Sequence, residues 1–211
     1  MTQTIQDVVK LMDEEKYEEA ISAARPFEND TDKEVSETAT KIIGLAYFQL
    51  GRYAEAEETF KKLCEKSVFS SDWFSLCTSA TMNNDIDLGR KAYDKALELR
   101  SNEENKSGRH ISMLSFFYMQ ALIDMKKYDE AFEILDDIKK YYVAAGIIDP
   151  TYLFNMYGSL LPSFGEVIGR ALPIFIHVGK EKSSAWLEDL ATNVDKDGKR
   201  DVELILKNIQ L

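Results

Sequence analysis

Four times along the chain, an apolar anchor is followed at three, seven and ten residues by a small side chain and two more apolar ones. From Tyr53 the steps give Ala56, Phe60 and Leu63; from Tyr17, Ala20, Ala24 and Phe27; from Ile86, Gly89, Tyr93 and Ala96; from Tyr128, Ala131, Leu135 and Ile138. This spacing places each set on one face of a 3.6-residue helix. The anchors lie 36, 33 and 42 residues apart, and a second helical stretch precedes each, so the repeated object is a helix pair. A small residue at the second place lets two helices approach to about 8–10 Å while the larger ones fill the seam beside it. Any amphipathic helix carries apolar residues at three and four, so a generic α-bundle competes with this reading. The fixed small residue and the near-constant period favour stacked pairs.

Two residues before the anchors stand Glu15, Gly51, Asn84 and Lys126. Gly and Asn enter the left-handed region readily and suit a tight helix-ending turn. Glu and Lys do so at a cost of roughly 1 kcal/mol, which predicts a different turn geometry in the first and fourth pairs.

The pattern resembles the tetratricopeptide repeat family, whose unit carries a Trp, a Leu-Gly pair, a Tyr, then Ala, an aromatic residue and Ala. Gly44, Tyr47, Ala56 and Phe60 follow that series, with Ile43 in place of its Leu and Leu63 in place of its last Ala. The unit opening near Ser70 supplies Trp73, Leu76, Gly89, Tyr93 and Ala96, with Cys77 and Ala80 replacing the Gly and Tyr. The expected fold is an all-α solenoid of stacked antiparallel pairs, which the resemblance makes a right-handed superhelix. Four units fall within residues 1–145. Residues 146–211 are read as a degenerate fifth pair and C-terminal capping helices of the same domain.

Three segments depart from the period. RSNEENKSGRH, residues 100–110, is polar and reads as a loop between the third and fourth pairs. Asp149-Pro150 has the form of an N-cap and first-turn proline, opening a helix that ends at Pro162; another is expected from Phe164 to Val178, kinked at Pro173. The last segment, with Val202, Ile205 and Ile209 in one stripe and Leu204, Leu206 and Leu211 widening it, is expected to cap the stack. A homodimer contact is its alternative role.

Composition narrows the function. With 26 basic and 37 acidic residues the chain has a net charge of −11, which opposes binding to nucleic acid or anionic membranes. Neither a secretory leader nor a membrane span is read in it, and a cytoplasmic location with Cys64 and Cys77 reduced in the core is expected. His110 and His177 lack partners at zinc spacing, and no nucleophile elbow or phosphate-binding glycine loop occurs, so no catalytic residue, metal or cofactor is assigned. NVDKDGKRDVEL, residues 193–204, approximates a calcium loop through Asn193, Asp195, Asp197, Gly198 and Asp201. Its twelfth place is Leu204 where a bidentate Glu is needed, so a polar helix cap is preferred.

The resemblance implies a concave face lined by the first helix of each pair, holding a protein or peptide. The inward positions are twelve, eight and five residues before each anchor: Ile5, Val9 and Met12; Lys41, Leu45 and Phe48; Phe74, Thr78 and Thr81; Phe116, Gln120 and Ile123. Lys41 is the only cation among them, so a clamp for acidic chaperone tails is not expected. Lys41, Leu45, Phe48, Phe74, Thr78, Phe116 and Gln120 are instead predicted to line an apolar, partly aromatic groove in a non-enzymatic scaffold or adaptor. Filling of this trough by the chain itself is the competing fate, and the exposure of Phe74 and Phe116 decides between them. The alternative function is a dedicated inhibitor, immunity protein or secretion chaperone for a basic protein.

Overall fold

The computed structural model describes residues 4–102, 111–149, 151 and 162–208. Among these every regular element is helical. The contacts group into two compact units, residues 1–104 and 105–211.

In the first unit, α1 (Ile5–Asp13) pairs with α2 (Tyr17–Ala24), α3 (Lys33–Gln49) with α4 (Tyr53–Cys64), and α5 (Ser70–Met82) with α6 (Ile86–Asn102). A short 3-10 turn, Arg25–Phe27, follows α2. Each pair rests on the next through α2 against α3 and α4 against α5, while α1 touches α3 and α3 touches α5 along a layer of first helices. Local signals explain the starts: Thr4 and Asp7 form a reciprocal capping box on α1, and the Asp32 carboxylate accepts from the Glu34 and Val35 amides.

The second unit contains α7 (Ile111–Asp124) and α8 (Tyr128–Ala145), then α9 (Phe164–Val178), α10 (Lys180–Thr192) and α11 (Lys196–Asn208). Helix α9 packs against α7 and α8, and α10 against α8, α9 and α11. Tyr142 donates its hydroxyl to the Pro162 carbonyl at 2.8 Å and meets Phe164 edge-on, while Trp186 Nε1 donates to Asp136 at 3.1 Å. Residues after 146 therefore share the core of the pair formed by α7 and α8. The contacts divide the chain at 104/105, inside the expected polar segment.

All four within-pair turns have one geometry. Glu15, Gly51, Asn84 and Lys126 have φ of 57°, 72°, 65° and 57°. In each, the amide of the following residue reaches back five positions, as from Lys16 to Leu11 (2.8 Å), Arg52 to Tyr47 (2.9 Å), Asp85 to Ala80 (2.8 Å) and Lys127 to Leu122 (2.8 Å). These are Schellman closures. The different turns expected at Glu15 and Lys126 are not formed, because the packing of the two helices requires the left-handed residue whatever its side chain.

The small residues sit where helices come closest. A Cβ on Gly44 would lie 2.7 Å from the Phe60 ring, and one on Gly89 would lie 2.4 Å from Thr81 Oγ1. Ala20, Ala56 and Ala131, at the repeated second place, have no exposed surface.

Helix α9 runs from Phe164 to Val178 with Pro173 inside it, capped by Ser163. The preferred cap reading of residues 193–204 agrees with the structure: all but the first three of these residues are in α11, and the Asp195 carboxylate is its cap, accepting from the Gly198 amide at 2.8 Å. No cluster of ligating side chains suited to a metal occurs among the described residues. Helix α11 lies on α10 with Val202 fully buried and Leu204 half-exposed. Most of the polar segment before α7, His110, the helix expected from Pro150, and Ile209 and Leu211 lie outside the described residues. Among those described, no helix is long and apolar enough to cross a membrane.

Candidate functional site

Apolar side chains are left uncovered in both units: Leu172, Ile176 and Leu204 in residues 105–211, and a set on the first-helix layer of residues 1–104. Val9 on α1 and Leu45 on α3 occupy equivalent places, eight residues before their anchors, and remain 40% and 43% exposed. Their helices touch. Phe48, one turn beyond Leu45, is half-buried and lies edge-on to Tyr53 at 5.3 Å. On α5, Thr78 is half-buried and returns its hydroxyl to the Phe74 and Ser75 carbonyls.

Lys41 is engaged within the fold. Its Nζ lies 3.2 Å from Oδ1 of Asp72, whose side chain is only 5% exposed, and Ser67 donates to the other carboxylate oxygen. The same ammonium sits 5.1 Å from the centre of the Phe69 ring. Phe69, immediately before α5, is 51% exposed, and Val68 beside it 68%. Phe69 was not legible as a site residue, because it stands in a connection where helical periodicity assigns no face. Its aromatic character just before the Ser70 helix start was the available signal.

Two expected groove residues are corrected. Phe74 is 8% exposed and Phe116 is 1% exposed, so both belong to the core and neither lines an open trough. Helical phase alone could not separate these places from those of Val9 and Leu45; the layers packed around α5 and α7 close over the aromatic rings. Thr81, also an inward position by spacing, is buried against Gly89 and donates to the Cys77 carbonyl at 2.8 Å. In the second unit, Gln120 and Ile123 are half-buried on α7. Of the predicted set, Leu45 is exposed, Lys41, Phe48, Thr78 and Gln120 are half-buried, and Phe74 and Phe116 are buried, while Val9 and Phe69, outside that set, are exposed.

The remaining reactive groups are poorly placed for chemistry. Cys64 and Cys77 are free and buried. Burial, reinforced by the Asp72 charge, pushes the Cys64 thiol up to about 12, and burial raises Cys77 well above its ordinary value. Both are therefore held as neutral thiols. His177 meets the Tyr128 ring at 5.2 Å and Asp129 at 3.4 Å, with no nucleophile in this contact.

Residues 42–65, spanning the last eight residues of α3 and all of α4, match the tetratricopeptide repeat family model. The match contains Gly44, Tyr47, Ala56 and Phe60, the residues that set the closest approach of this pair. No curated protein matches the chain. Within residues 1–104 the packed adjacent helix pairs form an all-α, tetratricopeptide-like stack, and the described residues of 105–211 are likewise built from packed helices.

Proposed function

We propose that this chain is a non-enzymatic protein-binding module that holds a peptide or helix of its partner on the first-helix layer of residues 1–104. The observation that carries this reading is the pair of equivalent, exposed aliphatic side chains Val9 and Leu45 on touching helices of a repeat fold whose family binds proteins. An exposed apolar strip on an otherwise strongly charged surface is the usual mark of an interaction site. Phe48 and Phe69 extend it with aromatic area, the kind of side chain that dominates binding energy when a partner covers it.

The test is affinity capture from native lysate with the wild type and a Val9→Ser, Leu45→Ser variant. A protein retained by the former and lost by the latter is expected. Equal capture by both would move the site to another face.

The dedicated inhibitor or chaperone reading is a narrower form of the same function. It is favoured by the concentration of negative charge in residues 1–104, which hold 22 acidic and 13 basic residues, against 15 and 13 in the remainder.

A further inference from the structure

We propose that the strip formed by Val9, Leu45, Phe48 and Phe69 takes an amphipathic helix with basic flanks, supplied by a partner protein. The inference rests on the protein-binding reading above and specifies the chemistry of the partner. Three observations meet here.

The first is the field. Residues 1–104 carry a net charge of −9 out of the −11 of the whole chain, and residues 1–40 alone hold eleven acidic side chains against four basic ones. A cationic segment is attracted to this unit, while nucleic acid and anionic lipid are repelled.

The second is the disposition of charge beside the apolar strip. Asp13 follows Val9 by one turn of α1, and Glu34 precedes Leu45 by eleven residues, three turns along the same face of α3. Both are exposed and have no ion-pair partner among the described residues. Lys41, the one cation on this face of α3, is neutralised at 3.2 Å by the buried Asp72 and does not oppose an incoming cation. Asp13 thus borders the apolar strip, while Glu34 stands on the same face of α3 about 16 Å from Leu45 and adds to the negative field over it.

The third is spacing. Neighbouring helices in such layers lie about 8–10 Å apart. A guest helix crossing them presents residues seven apart at about 10.5 Å, so one apolar stripe can meet Val9 on α1 and Leu45 on α3 in succession. A flanking Lys or Arg side chain then reaches Asp13, and Glu34 attracts the cationic flank at longer range.

Fluorescence anisotropy with the full chain and labelled peptides of about 18 residues, long enough for a stable turn count in a bound helix, tests this. One peptide carries a Leu stripe with Lys elsewhere; two others replace Lys by Gln or Glu; a fourth shuffles the Leu/Lys composition so the stripe is lost. The Leu/Lys helix is expected to bind best, the Gln form more weakly and the Glu form least. Val9→Ser with Leu45→Ser weakens the Leu/Lys helix about tenfold or more, the equivalent of one poorly covered aliphatic side chain or better. Asp13→Asn with Glu34→Gln weakens it a few-fold and leaves the Leu/Gln helix unchanged. All four substitutions are at exposed positions, and circular dichroism and Tm of each variant verify that the fold is retained.

Equal binding of the Lys, Gln and Glu forms, still lost with the serine variant, overturns the basic partner but leaves the protein-binding face standing. Binding of all peptides unaffected by the serine variant overturns the face as well. Equal binding of the shuffled peptide overturns the helical guest and reduces the effect to bulk charge.

Discussion

The Lys41 ammonium lies 3.2 Å from the Asp72 carboxylate, joining the middle of α3 to the first turn of α5 across the seam between two helix pairs. Asp72 is buried, so the contact supports an otherwise costly charge; Ser67 supplies the second partner. Lys41 therefore acts first on the stack and only indirectly on the strip beside it. Lys41→Met is expected to destabilise the chain by about 1–2 kcal/mol, the lower part of the range for stranding a buried acceptor because Lys41 itself is partly exposed. Urea unfolding measures this. Adding Asp72→Asn to Lys41→Met should return much of the loss, since the stranded charge is then gone.

Gly44 faces the Phe60 ring with no room for a methyl group. Gly44→Ala is expected to cost about 1–3 kcal/mol through overpacking, despite the better helix propensity of Ala. The diagnostic result is a double-mutant cycle: Phe60→Leu should be less harmful in the Gly44→Ala background than in the wild type. Strict additivity would mean that the clash is relieved by some other movement.

Glu15 and Lys126 occupy left-handed positions that glycine fills at Gly51. Replacing either by Gly should raise stability by about 1 kcal/mol, because the native φ then carries no Cβ penalty. Thermal unfolding of each single variant checks it; a fall in Tm would show that the side chain contributes more than the backbone strain removes.

Cys64 has its folded pKa pushed up to about 12, against 9.0 as the ordinary value for the thiol. A raised folded pKa means that the protonated form is favoured by the fold. This contribution is fully present below pH 9 and is lost as pH rises toward 12. Wild-type Tm should therefore fall more steeply between pH 9 and 11 than that of Cys64→Ala. Below pH 9, a water-soluble thiol reagent should leave Cys64 unmodified until urea unfolds the chain. Rapid labelling of the folded protein would contradict the buried placement.

Much of the pairing was legible because it depends on local chemistry. The step from Tyr53 to Ala56 to Phe60 encodes a helix face, and the small residue encodes a close neighbour. The turns at Gly51 and Asn84 were legible for the same reason. Glu15 and Lys126 were misread because intrinsic preference disfavours what the packing of two long helices demands. The groove was only partly legible. Leu45 and Phe74 have the same amphipathic signature, yet one is exposed and the other buried; the difference lies in which other layers cover each helix, a relationship between residues distant along the chain.

By itself the sequence determined that this chain forms helix pairs, where their turns fall, and that most of its negative charge lies in residues 1–104. These follow from periodicity, backbone preference and composition, all properties of neighbouring residues. Only the tertiary structure decided that Lys41 supports Asp72, that Phe74 and Phe116 are core, and that Val9, Leu45 and Phe69 remain open. Exposure and pairing depend on which helices meet, and that is set by the packing of the whole unit.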